Sequence, residues 1–214
     1  MGCALGPERY NGSVSRLLPL FPLDVVLFPR VALPLHIFEP RYREMIGEVL
    51  ETKEKFGMVR GTAEGVASVG CTAEIVAVTK QYEDGRMDIV TEGRERFEVM
   101  DINTERSFFR AEVLYLVDEP EPPHKEQNAR LVDIHTEALR LLGATAEPPP
   151  LDEKELSFLV AGSMPFDLDF KQKLLAMRSE PKRVEALLKY YEGILPSLRR
   201  AVKARQKSGG NGHV

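Results

Sequence analysis

The chain changes its hydrophobic period between residues 118 and 128, and that change constrains the fold more than any other feature. Upstream, apolar and polar residues alternate, as in Thr72 to Tyr82 and in Phe109 to Val117. Downstream, apolar residues recur every three or four positions, as in Leu131, Ile134, Ala138 and Leu141 or Leu142. A period of two belongs to half-buried strands and a period of 3.6 to amphipathic helices. Glu119-Pro120-Glu121-Pro122-Pro123 lies between them and predicts a semi-extended connector. The reading is α+β: a lead-in at 1–16, a β module at 17–118, a connector at 119–127, a helical module at 128–207 and a disordered tail at 208–214. With 43% apolar residues the chain can bury a core.

Within the β module, Leu17 to Phe21, Val25 to Phe28 and Val31 to Phe38 are short apolar runs broken by prolines. Proline cannot donate to a ladder, so these runs predict edge strands or bends. Pro40 suits the first position of a helix that places Tyr42, Met45, Ile46, Val49 and Leu50 on one face. Gly61 to Gly70 reads as a loop. Asp84-Gly85 predicts a tight type I′ hairpin turn. In the helical module, Gly143 closes a first helix, and Asp152 with Glu155 forms a capping box for a second. Asp167 to Ser179 is a third helix, and Pro181 opens a fourth that Pro196 ends or kinks.

Several chemistries lack their residues. No Gly-Lys-Ser or Gly-Lys-Thr occurs, so no P-loop is present. The four histidines show no zinc-ligand spacing, and no Gly-x-Ser-x-Gly elbow exists. Cys71 reads as a small core residue. The expectation is therefore no enzyme, no cofactor and no metal. No run approaches the roughly 18 apolar residues of a membrane helix, and the amino terminus has no signal-peptide pattern. With two cysteines in all, the expected location is the cytoplasm.

Pro19-Leu20-Phe21-Pro22-Leu23-Asp24-Val25-Val26-Leu27-Phe28-Pro29 resembles the opening of the amino-terminal domain of Lon proteases. Its continuation through Pro34-Leu35-His36-Ile37-Phe38-Glu39-Pro40-Arg41-Tyr42-Arg43 is similar to standalone bacterial members of that family. Val69-Gly70-Cys71-Thr72-Ala73 resembles a family strand start, and Gly93-Arg94-Glu95-Arg96-Phe97 a family turn. The resemblance covers about residues 15–195. It implies a PUA-like β pseudo-barrel followed by a helical bundle, without the ATPase and peptidase domains. It also implies binding of unfolded or exposed polypeptide segments, as an adaptor or beside a protease or chaperone.

Phe28, Phe38, Arg41 and Tyr42 are the candidate polypeptide contacts, because aromatic and arginine side chains dominate binding hot spots. Phe38 to Arg43 also has a purely architectural reading, with Pro40 opening the helix and Glu39 complementing its dipole. An alternative function is RNA binding by the barrel and the basic stretch Arg199, Arg200, Lys203 and Arg205. Those basic residues have no interleaved aromatics for base stacking, and the net charge of −4 opposes broad adhesion to polyanions.

Overall fold

Seven strands and one helix precede four further helices in the computed structural model, which describes residues 17–209 apart from 64, 123, 145, 146, 148, 152 and 153. In order these are β1 (Leu18–Leu23), β2 (Ala32–Ile37), α1 (Pro40–Thr52), β3 (Phe56–Thr62), β4 (Gly65–Val66), β5 (Val69–Gln81), β6 (Met87–Asn103) and β7 (Arg110–Tyr115). The helices α2 (Lys125–Leu142), α3 (Leu156–Ser163), α4 (Leu168–Ala176) and α5 (Glu180–Gly209) follow. This is the α+β architecture the change of period predicts.

Five strands close into a ring in the order β1-β7-β6-β5-β3, with β3 returning to β1. β1 is therefore not the edge strand that Pro19 and Pro22 predict. It pairs with β7 through Leu18 and Pro19, then changes neighbour and runs parallel to β3 from Leu20 to Leu23. Each half has a ladder on one side only, which leaves room for residues that donate no hydrogen bond. Leu18, Leu20, Val59, Phe97 and Ala111 fill the ring. A Cβ on Gly57 or Gly70 would lie 2.7 or 2.6 Å from the tip of the Phe97 ring. Those glycines let one aromatic side chain fill a small barrel, as such interiors require.

β6 is one strand of 17 residues, and the Gly93 to Phe97 segment expected as a turn lies inside it. At Gly93 the Phe28–Val31 segment crosses it. Arg30 donates its N–H to the Gly93 carbonyl at 2.7 Å, and the Gly93 N–H goes to the Val31 carbonyl at 3.0 Å. Val25 to Phe28 forms no strand; its neighbour Pro29 makes an isolated bridge to Gly93. Before Gly93, β6 leaves the ring and pairs with β2 on one side and the distal half of β5 on the other, forming a three-stranded arm. The β5–β6 hairpin turns through Gly85 at φ 83°, with Tyr82 and Arg86 joined by N–H···O=C at 2.9 Å. Asp84 has no positive φ, so this is a three-residue loop with a left-handed glycine instead of a type I′ turn. The loop expected at Gly61 to Gly70 is shorter, because β3 runs to Thr62 and β4 pairs with it.

The helices pack against part of the outside of the ring. α1 starts at Pro40 and buries Tyr42, Met45, Ile46 and Val49. α2 begins at Lys125, within the stretch read as connector, and ends at Gly143 with φ 77°. α3 follows Glu155, which sits at φ 61° and makes no side-chain cap; Asp152, the other half of the expected capping box, lies outside the described residues. Asp167 caps α4 by accepting from the Asp169 and Phe170 N–H groups. α5 continues through Pro196. Leu195 is buried and Leu198 packs on the core beyond it, so tertiary burial holds the helix across a missing backbone bond. One apolar core joins both modules, running from Phe21, Phe28, Phe56 and Cys71 to Leu131, Phe158, Leu187 and Tyr191.

Candidate functional site

The arm brings together residues far apart in sequence. His36, Asp88 and Lys80 lie side by side across β2, β6 and β5. His36 Nδ1 is 2.5 Å from one Asp88 oxygen, and the Tyr82 hydroxyl donates to the other at 2.9 Å. These contacts, His36 first, hold the Asp88 carboxyl below its usual range. Phe38 stacks beside His36 with centroids 6.0 Å apart, and Lys80 and Arg86 lie over the Tyr82 ring at 4.4 and 5.0 Å. Phe38 is 58% exposed.

The four sequence candidates divide into two pairs. Phe38 and Arg41 are on the surface, with Arg41 paired to Glu39 at 2.8 Å. Tyr42 is buried and stacks on Phe21 at 4.1 Å, beneath the Arg41 guanidinium at 4.5 Å from its ring. Phe28 is fully buried, stacked on Phe158 at 5.4 Å. Phe28 and Tyr42 are core residues here and offer no contact surface. The physical reason is that Phe158 of α3 covers Phe28, and Phe21 of β1 covers Tyr42.

Neither outer edge of the arm is a clean template for strand addition. Pro34 sits in the middle of β2, and the distal half of β5 shifts register between Ile75 and Ala77 and again between Val78 and Lys80. A proline and repeated bulges are the usual protections of an edge. Addition of a further strand at either edge of the arm is therefore disfavoured.

Where the ring meets the helices, Arg96 and Arg183 are buried on either side of a shared carboxylate, Asp118. Arg183 also donates to Glu180, to the Ser157 hydroxyl at 2.9 Å and to the Met177 carbonyl at 2.7 Å. Arg96 donates to the Leu175 and Met177 carbonyls at 2.8 and 2.7 Å. Both guanidinium carbons lie over the Phe158 ring, at 5.1 and 4.1 Å. Burial, and then the neighbouring Asp118 charge, pushes the Glu155 carboxyl up. Nearly every donor here has an acceptor, which is what a rigid joint requires.

A second buried group has the outline of nucleophilic machinery. His135 Nδ1 is 2.7 Å from the Tyr191 hydroxyl, and its Nε2 is 3.3 Å from Ser163 Oγ. Ser163 Oγ donates to the Val160 carbonyl at 3.1 Å. Its proton is then not offered to the imidazole, which instead donates to Ser163 and accepts from Tyr191. Burial lowers His135 to about 4 and raises Cys71 to about 12, so the imidazole is neutral and the thiol protonated at pH 7. Among the described residues no three His, Cys, Asp or Glu side chains cluster to hold a metal.

Comparison with known proteins identifies the framework. Residues 17–192 match the family model described as the ATP-dependent protease La (LON) substrate-binding domain. The chain belongs to that family. It is 32% identical over 146 residues to the Lon protease of Parabacteroides distasonis and 25% identical over 221 residues to that of Buchnera aphidicola. Those alignments cover 64% and 95% of this chain but 18% and 28% of the relatives. A crystal structure of a Lon N-terminal domain protein from Xanthomonas campestris superposes with a TM-score of 0.67 at 24% identity. It covers 82% of this chain and 98% of that one. The N-terminal domain of a Mycobacterium avium complex Lon protease gives 0.66 at 17% identity, covering 83% and 98%. At these identities the likeness is one of fold.

The LON framework leaves the basic stretch of α5 partly engaged. Arg199 makes two hydrogen bonds to Glu137 at 2.7 and 2.8 Å, and Arg200 donates to the Ser197 hydroxyl at 3.1 Å. Lys203 is exposed, and the Arg205 side chain lies outside the described residues. Among the described residues no helix is long and apolar enough to cross a membrane. Sequence reasoning missed the exposed Met100, Leu114 and Tyr115. β7 spans only Arg110–Tyr115, and within the alternating Phe109 to Val117 run Ala111 is buried while Phe109, Tyr115 and Val117 are exposed.

Proposed function

We propose that this chain binds exposed, unfolded polypeptide segments without altering them, in an adaptor or substrate-recognition role. The observation that carries this is the match of residues 17–192 to a substrate-binding domain family. An exposed aromatic ridge at the end of the arm supports it. Phe38 and Arg41 make the contacts, while the buried Tyr42 holds Arg41 from beneath. Phe28 acts only indirectly, by fixing the segment that crosses β6.

The test is fluorescence anisotropy of a labelled, permanently unfolded polypeptide titrated with the protein at low and moderate salt. Saturable binding that survives moderate salt is expected. Phe38→Ser should weaken it about tenfold, the loss of one hot-spot side chain, with no change in melting temperature. Absence of saturable binding would sink the function; full binding by Phe38→Ser would move the site elsewhere.

A further inference from the structure

The outer face of the β6–β7 hairpin departs from the rest of the sheet. Between the pairs Val99–Val113 and Asp101–Glu112, β6 carries one extra residue, Met100. Met100 and Asp101 together therefore oppose Glu112. Val99 and Val113 pack toward the ring interior, so Glu98, Asp101, Glu112 and Leu114 project outward, all exposed. Met100 is 62% exposed and Leu114, opposite Glu98, is 55% exposed.

Two features of this face oppose stability. Asp101 stands directly across from Glu112, and like charges in a cross-strand pair repel. The ion pairs of the described residues include none of Glu98, Asp101 or Glu112. Arg110, two residues before Glu112 on β7, is half-buried beside Asn103, to which it donates at 3.5 Å, and it lines a small crevice with Glu48, Glu54 and Arg106. Elsewhere in the sheet Glu74 and Glu92 pair with Arg94, and Glu95 with Lys55, so three carboxylates left open side by side depart from the local pattern, and such departures mark functional positions.

We propose that this face docks extended polypeptide segments that are both basic and apolar. The proposal rests on the polypeptide-binding reading above and adds the class of segment bound. Charge complementarity names the occupant. A lysine or arginine head placed between Asp101 and Glu112 relieves their repulsion, while its aliphatic stem and a neighbouring apolar side chain cover Met100 and Leu114. An acidic segment would instead add charge of the same sign to three open carboxylates. Methionine at the bulge suits variable partners, since its unbranched thioether adapts to differently shaped groups.

The experiment uses two labelled, unstructured peptides of equal length and identical apolar residues, one with lysine and one with glutamate at the charged positions. By anisotropy at low salt, the lysine peptide should bind the intact chain at least ~10-fold more tightly. The double variant Asp101→Asn, Glu112→Gln should bring that ratio near one, and Met100→Ser with Leu114→Ser should weaken the lysine peptide about tenfold. Removing the repelling pair should leave the melting temperature unchanged or raise it by about 1–3 °C, which shows that the first variant is folded. A ratio near one in the unaltered protein, or a ratio that survives Asp101→Asn, Glu112→Gln, overturns this face and leaves general polypeptide binding standing. If neither peptide nor a permanently unfolded protein binds, the broader reading falls with it.

Discussion

The two halves of β6 are made of the same kind of sequence and treated in opposite ways. Before Gly93, in the arm, the carboxylates have partners: Asp88 is hydrogen-bonded by His36 and Tyr82, and Glu92 is paired with Arg94, which also holds Glu74 at 2.6 Å. After Phe97, on the ring, Glu98 and Asp101 project beside exposed apolar side chains and have no ion pair among the described residues. The first half spends its charges on holding three strands together. The second leaves them available, so within one strand the acidic groups hold the sheet together in one half and stand open to solvent in the other.

The residue that separates the halves should give the largest effect. A Cβ on Gly93 would lie 2.8 Å from the Phe28 carbonyl carbon and well inside contact of its oxygen. Backbone cannot swing aside as a side chain can. Gly93→Val should cost about 4 kcal/mol or more, at the severe end for a single substitution, with a matching fall in the midpoint of urea unfolding. A loss below about 1 kcal/mol would mean that the two halves are not fixed by this crossing.

Next is the joint that holds the ring against the helices. Arg183→Met leaves Asp118 and Glu180 with one guanidinium fewer in a buried site. Breaking a buried pair from one side costs about 3–5 kcal/mol, or roughly 10 °C in melting temperature for a chain of this size. Differential scanning calorimetry reads it directly. A shift under about 2 °C would show that the network is as dispensable as an exposed one.

Acid should discriminate between regions as well. His135 is held neutral by burial, at about 4 against an ordinary 6.5. The unfolded chain therefore binds the extra proton between those values, so the stabilisation is complete above pH 6.5 and is lost as the pH falls toward 4. The loss approaches about 3 kcal/mol. The depressed Asp88 carboxyl acts in the same direction in a lower window, beginning near its ordinary value and continuing below it. Urea unfolding at pH 7.5, 5.5 and 4.5 should show the His135 component, and His135→Gln should flatten it. An unchanged slope in that variant would place the acid sensitivity elsewhere.

What the sequence made legible was local. Asp84-Gly85 marks a real hairpin, Gly143 a real helix end and Pro40 a real helix start, because each acts on its own backbone. What it hid was decided by distant partners. Pro19 and Pro22 read as edge signals until β3 arrives in parallel from across the ring. The family resemblance puts a turn at Gly93 to Phe97, whereas the role of Gly93 is to let another backbone pass. Phe28 and Tyr42 read as binding aromatics because the side chains that cover them, Phe158 and Phe21, are assigned only by the fold. Phe38 keeps its exposure, and nothing local distinguishes it from the other two. The open carboxylates were equally hidden, since a solvent-facing Glu reads alike with or without a partner.

The smallest effects carry the comparison furthest, because they should differ in sign. Asp88→Asn removes the acceptor shared by His36 and Tyr82 and should lower the melting temperature slightly. Glu112→Gln alone removes a repulsion and should raise it by about 1–2 °C. Raising the salt concentration should shrink both shifts, because the two groups lie at the surface where mobile ions screen them. Thermal melts at about 20 and 500 mM salt, in the same buffer, would resolve the pair. If both substitutions lowered the melting temperature, Glu112 would have a stabilising partner after all, and the contrast between the halves of β6 would reduce to one of exposure.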